Sequence, residues 1–171
     1  KFFKANLHCH STFSDGSLTP EELKEVYKRK GYSIIAFTDH DVFIPHQELR
    51  DDDFLPLNGF EAEINEPRNA WLEAKSFHAC FIALDPDNLI HPFWHRSNYL
   101  FNGGEKYKDL VLFDENEPDY IREYSHKGIN DMMRIGREKG FFVTYNHPIW
   151  SLHNYSDYID YENMDAIEIY N

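Results

Sequence analysis

His8 and His10 stand two residues apart in "NLHCHSTFSDG" (residues 6–16), and Asp15 follows five residues after His10. In an extended strand, a spacing of two puts both imidazoles on one face. Cys9 then faces the other way, where a small thiol suits a core. One HxH pair is more often ordinary strand polarity than a pair of ligands. Here His40, Glu61, His78 and His147 follow, each in or just past an apolar run. The ends of parallel strands converge at one mouth, so five histidines and two acids could meet there. Imidazole and carboxylate donors without thiolate suit zinc, manganese or iron rather than a cysteine-type structural site. Seven candidate ligands exceed the needs of one ion, so two or three divalent ions are expected. Multi-ion sites of this type clamp the attacking and leaving oxygens of a displacement at phosphorus.

The elements that would position these residues can be read in order. Residues 2–7 form a short strand leading into the HxH pair. "SLTPEELKEVYKRKG" is a helix with Thr19 as N-cap, Pro20 at its first position and Glu22 completing a capping box. Leu23, Val26 and Tyr27 make its apolar stripe, and Gly31 ends it. Ile34 to Phe37 reads as a buried strand that delivers "TDHD". "FLPLNGFEAEI" and "SFHACFIAL" are two more strands. Residues 85–119, rich in Pro, Asn, Gly and scattered aromatics, read as an insertion, partly loop and a candidate lid. "KGINDMMRIGREK" is helical and closed by Gly140; "FFVTYNHP" and "DAIEIYN" are strands. This order, β-α-β-β-β-insertion-α-β-β, is that of an α/β protein with active groups at strand ends.

The length of 171 residues suits a single domain, 1–171, with a genuine core. The 14 Phe, 11 Tyr and 3 Trp must be mostly core. A net charge of −13 argues against binding long nucleic acid or an anionic membrane through a basic face. It leaves room for a small phosphorylated substrate, since bound cations invert the local field. Two cysteines, Cys9 and Cys80, make no disulfide framework, which points to a reducing, cytoplasmic setting. No apolar run approaches the ~20 residues of a membrane span.

"HCHSTFSDG", then "TDHD", "GFEAEI", "FHA" and "NHP", together resemble the PHP (polymerase and histidinol phosphatase) family. The resemblance runs from Asn6 to Asn171, most specifically from Asn6 to Asp41. It implies a distorted (β/α)7 TIM-like barrel and a trinuclear metal centre. It further implies that His8 and His10 bind a first ion, that Glu61 bridges it to a second held by His78 and His147, and that Asp15 and His40 hold a third. Asp39 and Asp41 would orient ligands from behind. The family's late Asp-x-His motif has no counterpart after "AIEIYN", so the barrel is expected to be truncated at its C-terminal end.

The expected function is a metal-dependent phosphoesterase acting on a small phosphorylated metabolite or nucleotide. In it a hydroxide shared by two ions attacks phosphorus, with Glu61, Asp15 and His40 acting through the bound metals. The alternatives are an amidohydrolase-type attack on a carbonyl, or a non-catalytic metal-binding module of a larger protein. Arg68, Arg96, Arg134 and Arg137 are possible phosphate clamps; Arg134 and Arg137 sit on the helix before "NHP", where one could face the pocket, although a solvated helix face is the commoner outcome. His91 and His95 are expected on the surface or the lid, and His46, His126 and His153 as loop histidines.

Overall fold

The Thr19-Pro20-Glu21-Glu22 start sets a helix as expected. In the computed structural model, which describes residues 2–67 and 73–170, α1 spans Pro20–Arg29 with both halves of the capping box formed. Gly31 leaves it at φ +79, a backbone angle that favours glycine. Leu23 packs with Cys9, Ile35, Phe37, Leu49 and Phe54 in one apolar cluster. Cys9 is therefore a core residue, and His8 and His10 are turned to the opposite side.

The strands are β1 (Ala5–Asn6), β2 (Ile34–Phe37), β3 (Leu55–Asn65), β4 (Ser76–Ala83), β5 (Phe141–Tyr145) and β6 (Ala166–Ile167). They form one sheet in the order β1-β2-β3-β4-β5-β6. β3 carries both halves: Leu55–Asn58 pair with β2, and Gly59–Asn65 pair with β4. The edge strands do not lie apart. His8, just past β1, and Glu168, just past β6, approach to 3.2 Å. A flat sheet would hold its outer strands ~24 Å apart across five inter-strand spacings, so this sheet is curled into a half-barrel.

The expected α/β class is met, in a curled sheet and not a closed (β/α)7 barrel among the described residues: six strands are present in linear order, and β4 runs antiparallel to both neighbours. The segment at 85–119, expected as an insertion, partly loop and a candidate lid, is packed against the rest of the chain. It pairs Ile90 with Leu112, contains α2 (Gly104–Tyr107), and buries Phe93, Trp94 and Val111. His91 and His95, expected on the surface or the lid, are buried inside it, and His46 and His153, expected as loop histidines, are buried as well.

The main core lies between the sheet and α3 (His126–Glu138), which is N-capped by Ser125. Phe60, Ala62, Ile64, Phe77, Ala79, Phe81, Val143 and Tyr145 face Ile129, Met132 and Met133 there. Because side chains alternate along a strand, Glu61, Glu63, His78 and Cys80 are left on the concave face. A short helix, α4 (Tyr155–Tyr158), follows β5. No helix of the described residues is long and apolar enough to cross a membrane.

Candidate metal centre

The concave face gathers all seven predicted ligands, six of them around Glu61. Thr38 N–H donates to Cys9 O, which continues the β1–β2 pairing and sets His8 and His10 against it. Asp41 N–H donates to Glu61 O, and Glu61 N–H to Asp39 O, so His40 is held beside β3. His78 sits opposite Glu63 in the β3–β4 register. It reaches the mouth from the start of its strand, not the end, because β4 is reversed. His147 follows β5 at φ +25, and its N–H donates to Glu168 Oε2.

The distances are short. Glu61 Oε1 lies 3.3 Å from His8 Nε2, 3.4 Å from His78 Nδ1 and 3.3 Å from His147 Nε2. Glu61 Oε2 lies 3.2 Å from His10 Nε2 and 3.5 Å from His40 Nδ1. The two carboxylate oxygens thus serve two sets of imidazoles. His8 Nε2 and His10 Nε2 are 2.8 Å apart. Asp15 Oδ1 lies 3.2 Å from His10 Nδ1, and Asp15 Oδ2 3.8 Å from His40 Nε2. Together with Trp150, these residues line a cavity of about 420 Å³.

The loop carrying His10 and Asp15 is tied from behind. Asp39, buried, accepts from Ser11 N–H, Ser11 Oγ and Ser14 Oγ, each at 2.7 Å. Gly16 is required at the turn, since a Cβ there would lie 2.3 Å from His10 O. On the far side, His153 Nδ1 meets Tyr145 Oη at 2.5 Å and its Nε2 meets Tyr124 Oη at 2.9 Å, which anchors the end of the loop bearing His147.

The electrostatics follow from this crowding. Burial alone would raise the Glu61 carboxyl, but the surrounding imidazoles of His10, His147, His78 and His8 hold it well below the usual range. Burial likewise opposes a charged His10, and Asp15 and Glu61 overcome it, lifting the imidazole to about 9. The hydrogen bond from His10 keeps Asp15 down at about 2. Burial lowers His40.

These residues fit divalent cations. Both nitrogens of His78 and Nδ1 of His40 are buried with no hydrogen-bond partner. Burying an unsatisfied polar atom costs ~1–3 kcal/mol, a cost that a cation taking the lone pair removes. Groups such as Glu61–His78–His147 and His10–His40–Glu61 each place three donor atoms within 4.8 Å of one another.

Two residues, Glu168 and Cys80, are not among the ligands expected from the sequence, which sets Glu63 aside in favour of Glu61 on the same strand face. Glu168 joins His8 and His147 in one such group, and Glu63 joins His40 and His78. Cys80 joins His8 and Glu61. The period-2 spacing from His78 and Glu61 was the available signal for Cys80 and Glu63. The arginines, in contrast, are not brought to the cavity. Arg134 pairs with Glu138 and Asp131, and Arg137 with Asp165, on the outer side of α3. The inner side of that helix is taken up by the apolar core, which leaves only the solvent side for long charged chains. Arg96 pairs with Asp119, and Arg68 lies outside the described residues.

Comparison with known proteins places the chain in a family. Over 41 residues the chain is 44% identical to the DNA polymerase/3'-5' exonuclease PolX of Bacillus subtilis, a match covering 24% of this chain and 7% of that protein. Over 38 residues it is 50% identical to a 5'-3' exoribonuclease of Haemophilus influenzae, covering 22% of this chain and 14% of that protein. The matches thus span a small part of either relative's length. A solved structure from Bifidobacterium adolescentis, provisionally named a metal-dependent phosphoesterase, superposes with a TM-score of 0.55 over 98% of this chain and 77% of its own. At 17% identity that likeness is one of fold. The PHP domain family model matches residues 6–164, and the chain belongs to that family.

Proposed function

We propose that the chain is a metal-dependent phosphoester hydrolase acting on a small phosphorylated metabolite or nucleotide. The observation that carries this reading is one buried carboxylate, Glu61, whose two oxygens are shared among five imidazoles at the base of an open cavity. His8, His10, His78 and His147 would hold two divalent ions of the zinc, manganese or iron class with Glu61 between them. His40 and Asp15 would hold a third at the outer edge. Ions in such a site supply Lewis-acid polarisation and a nucleophile at neutral pH.

The chain's own residues do the rest. Asp15, held at about 2, is ionised at neutral pH and orients His10 through Nδ1; it is not a proton donor there. Trp150 stands edge-on to His78 and His147, 5.2 Å from each ring, and forms an apolar wall on that side of the cavity. The volume of about 420 Å³ falls in the range of small-molecule sites. The cavity's position past the ends of β1, β2 and β5, over the middle of β3, leaves it open to a substrate from solvent.

The test combines metal content with turnover. The purified chain should carry two or three such ions, and a panel of phosphoesters should include one that is hydrolysed. Amides belong in the panel too, because no arginine lines the cavity among the described residues. Glu61→Gln should fold, lose at least one ion and lose turnover by at least ~100-fold. A variant that keeps full metal content and rate would overturn the proposal, and so would a wild-type chain that binds no ion.

A further inference from the structure

The donor set contains a sulfur that the reading above does not use. Cys80 is wholly buried on β4, two residues after His78 and on the same face, directly opposite Glu61 in the β3–β4 register. Its Sγ, a Glu61 oxygen and a His8 nitrogen lie within 4.8 Å of one another. The surroundings treat this sulfur as an acceptor. Asn146 Nδ2 donates to Cys80 Sγ at 3.0 Å and to Glu61 Oε1 at 2.7 Å. The amide cannot turn the other way, because the ionised Glu61 oxygen can only accept; Asn146 Oδ1 in turn accepts from Thr144 Oγ at 2.7 Å. A single fixed NH₂ group therefore presents one hydrogen to the sulfur and one to the carboxylate. A second, independent feature points into the same place. His78, 3 % exposed, has both ring nitrogens without a hydrogen-bond partner, and its Nδ1 lies 3.4 Å from the Glu61 oxygen that Asn146 contacts.

We infer that Cys80 is a thiolate donor to the ion held by His8 and Glu61, which makes this site select zinc, or another thiophilic cation, over manganese. The inference rests on the metal-dependent reading above. Thiolate is a soft ligand, and a sulfur in an otherwise imidazole and carboxylate site shifts preference away from oxygen-loving cations. Binding would release the thiol proton to solvent as the sulfur takes the cation.

The experiment is spectroscopic, on the full chain loaded with cobalt(II) or zinc under reducing conditions, as wild type, Cys9→Ala and Cys80→Ser. Wild type and Cys9→Ala should show a near-ultraviolet sulfur-to-cobalt charge-transfer band. With zinc they should show a sulfur shell at ~2.3 Å in X-ray absorption. Cys80→Ser should lose both signals while still binding ions through its histidines, and the ratio of zinc to manganese affinity should fall at least ~10-fold. If Cys80→Ser does not fold, Cys9→Ala decides alone, since Cys80 is then the only thiol. Cations bound with nitrogen and oxygen neighbours only would refute the role of Cys80 and leave the proposed function standing. A wild-type chain that binds no cation would refute both.

Discussion

Asp39 makes no contact with the cavity, yet it should decide whether the cavity exists. It takes three hydrogen bonds of 2.7 Å from two serines of the His10 loop, and it is buried. Hydrogen bonds to a charged group contribute ~1.5–3 kcal/mol each, less than additively when they share an acceptor. Asp39→Ala strands the Ser11 N–H and should cost about 3–5 kcal/mol. Asp39→Asn should cost less. Its oxygen can still take Ser11 N–H and Ser14 Oγ, and the Ser11 hydroxyl can turn to accept from the new NH₂. What is lost is chiefly the charge, or about 1–2 kcal/mol. Urea denaturation of the chelator-treated chain measures both, with an unchanged slope showing that stability alone moved. Zinc affinity should fall ~10–100-fold in the Ala variant, because the loop that aims His10 and Asp15 is loosened. The reasoning is refuted if Asn costs as much as Ala, or if Ala costs under about 1 kcal/mol.

Two further perturbations probe the packing behind the site. Arg122 is buried against Asp41, donates to Glu63 O at 2.6 Å and stacks on Tyr99; Arg122→Met should cost about 3–5 kcal/mol by leaving Asp41 uncompensated. Adding Asp41→Asn, which tolerates the φ of +61 there, should recover part of that loss in a double-mutant cycle; an additive pair would sink the argument. His95 is wholly buried, and burial followed by the Arg122 charge lowers it to about 3. The unfolded chain therefore binds this proton first on acidification. The stability it contributes is present above about 6.5 and is lost as pH falls toward 3. His95→Gln should reduce the slope of stability against pH near about pH 5 by up to ~1.4 kcal/mol per pH unit, and an unchanged slope would show that His95 does not titrate on unfolding.

Features set by local chemistry were legible in the sequence, and features set by distant contacts were not. The ends of α1 could be read because a capping box is satisfied within four residues. The turn of Cys9 into the core followed from strand alternation alone. The direction of β4 could not be read, because "SFHACFIAL" has the same apolar pattern run either way. That reversal is why His78 serves the cavity from a strand's start, and it leaves Cys80 one pleat deeper than His78 on the same face. His91 and His95 were misplaced for a related reason. Their segment looks like a loop by composition, but Phe93, Trp94 and Val111 give it enough apolar surface to be buried against the sheet. The arginines failed on the geometry of α3: Ile129, Met132 and Met133 claim its inner side, so charged chains at positions 134 and 137 go outward. The curl of the sheet supplies the last link. It brings His8 from one edge against Glu168 and His147 from the other. Glu168 thus enters the site from the short edge strand β6, through a contact between residues 160 positions apart that no spacing rule could anticipate.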